Sequence, residues 1–113
     1  MNATVKPISL AKVNRAIVIS DIHGNLDVFK ALLEKVAYVP ESDGLLLLGD
    51  LYLKGPKPLE TLDYIMEISR ADNVHVLRGN CDFSIEEYVP GATSAQADWL
   101  EALPSILEAE AFT

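Results

Sequence analysis

The chain has 113 residues, of which 50% are hydrophobic and 23% charged, a balance typical of one soluble globular domain at most. Its formal net charge of -8 argues against a nucleic-acid-binding surface, which would show clustered Lys and Arg. The single cysteine, Cys81, excludes an internal disulfide framework and favours a reducing compartment. The sequence has no apolar run as long as a signal-peptide core or a membrane span, so we expect a cytoplasmic protein without nucleic-acid or membrane partners.

The first predicted unit is a strand followed by a helix. Residues 1–14 have no strong period and are expected to be a leader to a domain that spans 15–113. The apolar, β-branched run 16–20 predicts a strand that is buried on both faces. Asn25 then predicts the N-cap of a helix whose apolar residues recur at helical spacing. These residues are Leu26, Phe29, Leu32, Leu33 and Val36.

The second unit repeats this order. Residues 44–48 predict a strand, residues 51–58 predict a loop marked by Gly55, and Pro56 or Pro58 can open a helix. The inward face of that helix carries Leu59, Leu62, Ile65, Met66 and Ser69. Residues 74–77 predict a third strand. Strands joined by connections of helix length run parallel with right-handed crossovers, so we expect an α/β fold with a largely parallel sheet flanked by helices.

The pattern is weaker after residue 82. Residues 91–94 can cap a short helix that runs to Leu103, where Pro104 ends it. Residues 106–112 alternate between apolar residues and glutamates, which fits a half-exposed edge strand and a frayed helix about equally well.

Each of the three predicted strands ends in polar residues that can bind a metal ion. Asp21 and His23 are two residues apart, so on extended chain their side chains lie on the same side. The carboxyl ends of parallel strands meet at one crevice, where we expect these groups to converge. They are Asp21 and His23 after the first strand, Asp50 after the second, and Asn80, Cys81 and Asp82 after the third.

The motifs Asp21-Ile22-His23, Gly49-Asp50 and Gly79-Asn80-Cys81-Asp82 resemble those of the calcineurin-like metallophosphoesterase family, in the same order and with helix-sized gaps. The segment Trp99-Leu100-Glu101-Ala102-Leu103-Pro104 is similar to one that precedes the next metal-ligand strand in the serine/threonine-phosphatase branch. The resemblance implies that the chain is the front half of a four-layer sandwich. Family members supply further histidines later in the domain, and here none follows His75.

The resemblance also implies a chemistry, the hydrolysis of phosphate esters by a metal-bound hydroxide. Asp50 lies at the family's bridging position, Asp21 and His23 at its first-metal positions, and Asn80 at its second-metal position. Two divalent ions, Mn, Fe or Zn, would polarise the phosphoryl oxygens and lower the pKa of a shared water toward ~7. Without the later histidines, we expect this chain to hold one ion weakly.

Further residues are candidates for substrate contact or proton transfer. Lys54 and Asn80 are expected to hold phosphate, Lys54 as a point charge. Arg78 is a candidate for the same role, although support of its loop or pairing with a carboxylate is the stronger interpretation. Asp82 can supply a proton to the leaving group. Cys81 occupies the position of the serine/threonine branch's candidate general acid, which is a histidine there, and is a catalytic candidate for that reason.

Two departures from the serine/threonine branch bear on the substrate. Cys81 replaces the histidine that is the candidate general acid in that branch, and Leu53 replaces the carboxylate that orients this histidine. The general acid and its orienting partner are therefore both absent here. Gly-Asn-Cys-Asp is instead similar to a branch of small bacterial phosphodiesterases, while the segment at Trp99 favours a protein phosphatase or dinucleoside polyphosphatase. The expected substrate is a phosphorylated small molecule, a nucleotide or a phosphoprotein.

The alternative function is a truncated or vestigial metal-binding α/β module without turnover, supported by the missing histidines. Its incomplete sheet would leave an unpaired strand edge through which copies of the chain could associate. A Rossmann-type nucleotide-binding domain is disfavoured because no Gly-x-Gly-x-x-Gly follows the first strand. Four residues also have structural interpretations: Asp21 and Asp50 as turn residues, His23 as a polar residue of its loop, and His75, inside the third strand, as a histidine without a role in the site.

Overall fold

The computed structural model of the chain describes residues 5–9, 13–52, 55–78, 89–104 and 106–110. Within them, no helix has both the length and the apolar character needed to cross a membrane. In chain order the elements are β1 (Val5–Ser9), β2 (Arg15–Ile19), α1 (Leu26–Lys35), β3 (Asp43–Leu47), α2 (Pro58–Ile68), β4 (Val74–Val76), α3 (Ser94–Ala102) and β5 (Ile106–Glu110).

The central sheet has three parallel strands in the order β2-β3-β4. Its register pairs Ile17 with Leu45, and Leu45 with Val74. The predicted α/β fold with a parallel sheet and accompanying helices is therefore confirmed. β1 and β5 form a separate parallel pair in which Val5 lies opposite Ile106. β1 lies within residues 1–14, which the sequence predicted to be a leader. The strand was not predicted because its pairing with a strand about a hundred residues away leaves no local pattern in the sequence.

Helix α1 begins where its cap residue predicts. The Asn25 side chain accepts a hydrogen bond from a main-chain N–H of the first turn at 3.4 Å. Leu32 and Val36, which the sequence placed on the inward face, are instead 40% and 36% exposed. The buried residues of the helix are Leu26, Phe29 and Leu33.

Strand β2 is half-exposed, whereas the sequence predicted a strand buried on both faces. Val18 is 55% exposed, and among the described residues β2 pairs only with β3. β3 lies between two strands, and its Leu45 and Leu47 are fully buried. Both strands have apolar sequences, so composition did not distinguish the edge strand from the central one.

Helices α2 and α3 both begin at recognisable sequence signals. Pro58 is the first residue of α2, a position where its missing N–H has no intrahelical partner to lose. Thr93 and Gln96 form a capping box at α3, with hydrogen bonds of 2.9 and 3.2 Å. The Gln96 amide also donates to Asp63 at 2.8 Å, which ties α3 to α2.

An ion pair joins the beginning of β2 to the beginning of β3. The Arg15 guanidinium donates to the Asp43 carboxylate at 3.1 Å and also to the carbonyls of Val36 and Ala37, just after α1. The Asp43 side chain is 4% exposed and accepts a second hydrogen bond from the Val39 N–H at 2.9 Å. The hydrogen bonds from Arg15 and Val39 hold the pKa of the Asp43 carboxyl below its ordinary value.

Replacing Asp43 with Asn is expected to lower stability at neutral pH and to flatten its dependence on pH. The pKa of Asp43 in the folded chain lies below its unfolded value of about 3.9, so its stabilisation is complete above that pH. It is lost as the pH falls through the folded-state pKa. Urea unfolding followed by Trp99 fluorescence at decreasing pH measures this, with the exposed Asp72→Asn as charge-matched control. A stability difference between wild type and Asp43→Asn that does not narrow in acid would contradict the assignment.

Candidate metal centre

Three of the predicted metal ligands lie together in the structure. One ligand atom from each of Asp21, His23 and Asp50 lies within 4.8 Å of the others. Asp21 and His23 follow β2 and Asp50 follows β3, so the group lies at the carboxyl ends of two adjacent parallel strands. Asp21 is exposed and the other two residues are half-buried. An ion can therefore reach the group from solvent.

Main-chain hydrogen bonds hold the loop after β2 against the loop after β3. The His23 N–H donates to the Asp50 carbonyl at 2.8 Å, and the Gly24 N–H donates to the Leu51 carbonyl at 2.8 Å. The Lys57 N–H closes the contact by donating to the Gly24 carbonyl at 2.9 Å. Because these bonds are between main-chain groups, the backbone itself places the imidazole beside the carboxylate.

All three candidate ligands have an uncommon backbone conformation. The φ angles are 57° at Asp21, 50° at His23 and 52° at Asp50. Positive φ is uncommon for residues with a Cβ, although Asp and His adopt it more readily than most. Among the described residues, Ala37 is the one other non-glycine residue with positive φ. Backbone strain of this kind tends to concentrate at functional sites, which supports a role for the group.

Two glycines allow the loops to approach this closely. A Cβ on Gly24, whose φ is 68°, would lie 2.3 Å from the Tyr52 carbonyl oxygen. A Cβ on Gly55 would lie 1.7 Å from the His23 carbonyl oxygen, well inside van der Waals contact. The sequence indicated Gly55 only as part of a loop, because the contact with His23 arises from tertiary structure and has no local signal.

The donor atoms of the group fit a divalent cation. Nε2 of His23 lies 3.6 Å from Oδ1 of Asp21, and its Nδ1 is buried without a hydrogen-bond partner among the described residues. Neutral imidazole binds metals through either nitrogen, and carboxylates supply the compensating charge. Two carboxylates and one imidazole suit Mn, Fe or Zn, and in this arrangement Asp21, His23 and Asp50 would hold the ion.

A cavity of about 270 Å³ opens beside the candidate ligands. Asp21 and His23 contribute to its lining together with Gly55 and Pro56. The rest of the lining is mostly apolar and comes from β2, α1 and the loop between them. It includes Ile19, Ile22, Val28, Phe29 and Leu32. The candidate ligands thus lie at a concave surface with an apolar wall.

The loop that carries Asp50 continues into the core. Leu51 and Tyr52 are fully buried, although the sequence predicted no more than a loop from residue 51 to residue 58. Their burial anchors the main-chain groups that contact Gly24. Both residues thus support the site. The sequence did not indicate this role, because the two residues lie in an irregular stretch without helix or strand periodicity.

Four predicted site residues have roles that the structure does not test. Lys54, Asn80, Cys81 and Asp82 lie outside the described residues, so their roles stay predictions. The convergence of the third strand end with the other two is untested for the same reason.

Arg78 and His75 belong to β4 and the residues that follow it. The Arg78 side chain donates to the Glu101 carbonyl at 3.2 Å, and its N–H donates to the Pro104 carbonyl at 2.9 Å. These bonds agree with a supporting role for Arg78 between β4 and α3, while its contact with substrate stays a prediction. His75 is half-buried inside β4 and lies outside the three-residue group, and its structural role stays a prediction.

The chain is similar to known phosphate-ester hydrolases. It matches the family model described as calcineurin-like phosphoesterase over residues 15–108. The symmetrical bis(5'-nucleosyl)-tetraphosphatase of Klebsiella pneumoniae is 36% identical over 91 residues, which are 80% of this chain and 31% of that protein. The enzyme of the same name from Salmonella arizonae is 40% identical over 67 residues, 59% of this chain and 23% of that one.

A solved structure supports the fold. A crystal structure provisionally described as a diadenosine tetraphosphatase matches with a TM-score of 0.80 over 96% of this chain and 50% of that chain, at 23% identity. At this identity the likeness concerns the fold alone. The chain spans about a quarter to a third of the curated relatives and half of the solved chain. The match over residues 15–108 shows that this chain belongs to the calcineurin-like phosphoesterase family.

Proposed function

We propose that the protein is a metal-dependent hydrolase of phosphate esters and that residues 15–113 form part of its catalytic domain. The observation that carries this proposal is the convergence of Asp21, His23 and Asp50 within 4.8 Å at the ends of two parallel strands. When bound, divalent ions supply Lewis-acid polarisation of the phosphoryl oxygens and lower the pKa of a bound water. Family membership supports this use of the group.

The proposal gives each residue of the group a role. Asp50 has two carboxylate oxygens and follows the central strand β3, which suits it to be shared between two ions. Asp21 and His23 would complete one ion's ligands, with manganese as the proposed metal. Asn80 is proposed as a ligand of the second ion, and its amide oxygen would add no charge there. The site would then keep a net positive charge to attract phosphate.

The proposed substrate class is nucleotide esters and anhydrides of phosphate, with dinucleoside polyphosphates first. Its support is that the relatives at 36% and 40% identity are named as bis(5'-nucleosyl)-tetraphosphatases. A phosphoprotein or phosphodiester substrate is the second proposal. A cytoplasmic location is also proposed, supported by the single cysteine of the sequence.

The lack of a positioned general acid leads to a prediction about leaving groups. The position of the family histidine holds Cys81, and that of its orienting carboxylate holds Leu53. General acid catalysis contributes roughly 10²–10⁴-fold, so aryl phosphates should be cleaved faster than alkyl phosphates by a factor in this range. Initial rates with p-nitrophenyl phosphate and with phosphoserine, both in the presence of Mn²⁺, measure the ratio. Equal rates would show that another residue, such as Asp82, donates the proton.

The same assay tests the proposed function itself. Hydrolysis of p-nitrophenyl phosphate by the 113-residue chain should require Mn²⁺, stop with a chelator and be lost in Asp50→Asn. Metal binding without hydrolysis would favour the second candidate, a metal-binding module without turnover. Hydrolysis that survives the chelator would overturn both.

A further inference from the structure

Lys57 contacts the segment that follows β2 at two points. It is the N-cap residue of α2, and its N–H donates to the Gly24 carbonyl at 2.9 Å. Its ammonium group donates to both carboxylate oxygens of Asp27, each at 3.3 Å. Gly24 directly follows the candidate ligand His23, and Asp27 lies in the first turn of α1. One residue therefore holds the chain on both sides of the Asn25 cap.

Helix α2 fixes the position of Lys57. The Lys57 carbonyl accepts a hydrogen bond from the Thr61 N–H at 3.0 Å and a second from the Thr61 hydroxyl at 2.6 Å. Thr61 is fully buried, as are Leu62 and Ile65 on the same helix. A helix packed into a dense core moves little. Lys57 thus joins a firmly held element to the loop that carries His23.

We propose that Lys57 is a positioning residue of the metal centre. Its ion pair with Asp27 holds the start of α1 against α2, and its N–H holds Gly24, so that the His23 imidazole stays beside the two carboxylates of the group. The inference rests on the proposed function, because it adds Lys57 to the metal centre that is proposed there. An ammonium group has no lone pair to offer a metal ion, so Lys57 is not a ligand and acts through the loop.

The ion pair can be removed without changing the net charge. Loss of the lysine charge alone would strengthen the binding of a cation, because it removes a repulsion, and so would mask a loss of positioning. Replacing Lys57 with Met and Asp27 with Asn together removes one charge of each sign, so the formal net charge stays at -8. We call this double change the neutral pair. The two side chains are 43% and 75% exposed, so the expected effect is modest.

Zn²⁺ titration of the 113-residue chain, followed through the His23 ring by NMR, tests the proposal. The neutral pair should bind Zn²⁺ about two- to fivefold more weakly than wild type, which is the range that an exposed ion pair contributes. Lys57→Asp together with Asp27→Lys, the reversed pair, restores an ion pair between the same two positions at the same net charge. The reversed pair should bind Zn²⁺ as tightly as wild type.

Glu34→Gln together with Lys35→Met is the matched control. Both residues are exposed at the end of α1, and this change also removes one charge of each sign, so the affinity should equal that of wild type. Circular dichroism checks that each variant is folded. Wild-type affinity in the neutral pair, or equal losses in the neutral and reversed pairs, would overturn the positioning role of Lys57 and leave the metal centre standing. No Zn²⁺ binding at His23 in wild type would overturn both.

Discussion

Replacing Gly55 with Ala is expected to weaken metal binding by about 10–100-fold, the range seen when a residue that orients a ligand is lost. The new Cβ would start 1.7 Å from the His23 carbonyl oxygen and 2.6 Å from the Gly24 carbonyl carbon. Both clashing groups belong to the backbone, so a side-chain rotation cannot relieve them. The loop after β2 must move, and His23 moves with it. The forced shift should also destabilise the fold by about 1–3 kcal/mol.

Gly91→Ala separates the loss of stability from the loss of affinity. Gly91 has a φ of 87°, and a Cβ there would lie 3.7 Å from its nearest neighbour, a methyl group of Leu59. This variant therefore suffers backbone strain of roughly 1–2 kcal/mol without crowding the site. Urea unfolding and Mn²⁺ titration calorimetry should show both variants destabilised and only Gly55→Ala impaired in metal binding. Unchanged affinity in Gly55→Ala would show that Gly55 does not position His23.

Replacing Asp50 with Asn is expected to lower metal affinity by at least about 100-fold, more than the loss of an orienting partner typically costs. The amide keeps one oxygen but cannot share negative charge with a cation. The metal-free chain should not be destabilised by more than about 1 kcal/mol, for two reasons. Asn tolerates positive φ, and the substitution removes the Asp50 carboxylate, which repels the nearby carboxylate of Asp21. Stability and metal binding would thus respond differently to one substitution.

The control for Asp50→Asn is Asp98→Asn on the exposed surface of α3, which makes the same change of charge. Its metal affinity should equal that of wild type. Calorimetric titration with Mn²⁺ and urea unfolding of the metal-free chains measure the two quantities. Equal affinities for the two variants would mean that Mn²⁺ binds through general surface acidity and not through the three-residue group.

Local sequence signals located most of the helices and strands and the three candidate ligands. The cap at Asn25 and the first-turn proline at Pro58 marked helix starts, because capping depends on neighbouring residues alone. Asp21, His23 and Asp50 were found because two short apolar strands each ended in polar residues, and parallel strands bring such ends together. The site followed from local pattern and one rule of topology.

The features that depend on distant contacts were not predictable. Val18 is exposed at an edge although its strand is as apolar as β3, since neighbours in a sheet are not encoded within the strand. Tyr52 is buried from within an irregular loop, and Gly55 touches His23 across a gap of more than thirty residues. Each of these three features depends on which segments meet in space, and the periodicity of the sequence carries no information about such contacts.

The most direct test of the metal centre is an NMR titration of the two histidine rings with Zn²⁺. The sequence contains only His23 and His75, so each ring reports on one location and His75 serves as an internal control. We predict that the His23 ring nitrogens shift and saturate with Zn²⁺, that His75 does not respond, and that Asp50→Asn greatly weakens the response of His23. Saturable binding at His75, or no response from His23 while the fold is intact, would contradict a metal centre built from Asp21, His23 and Asp50.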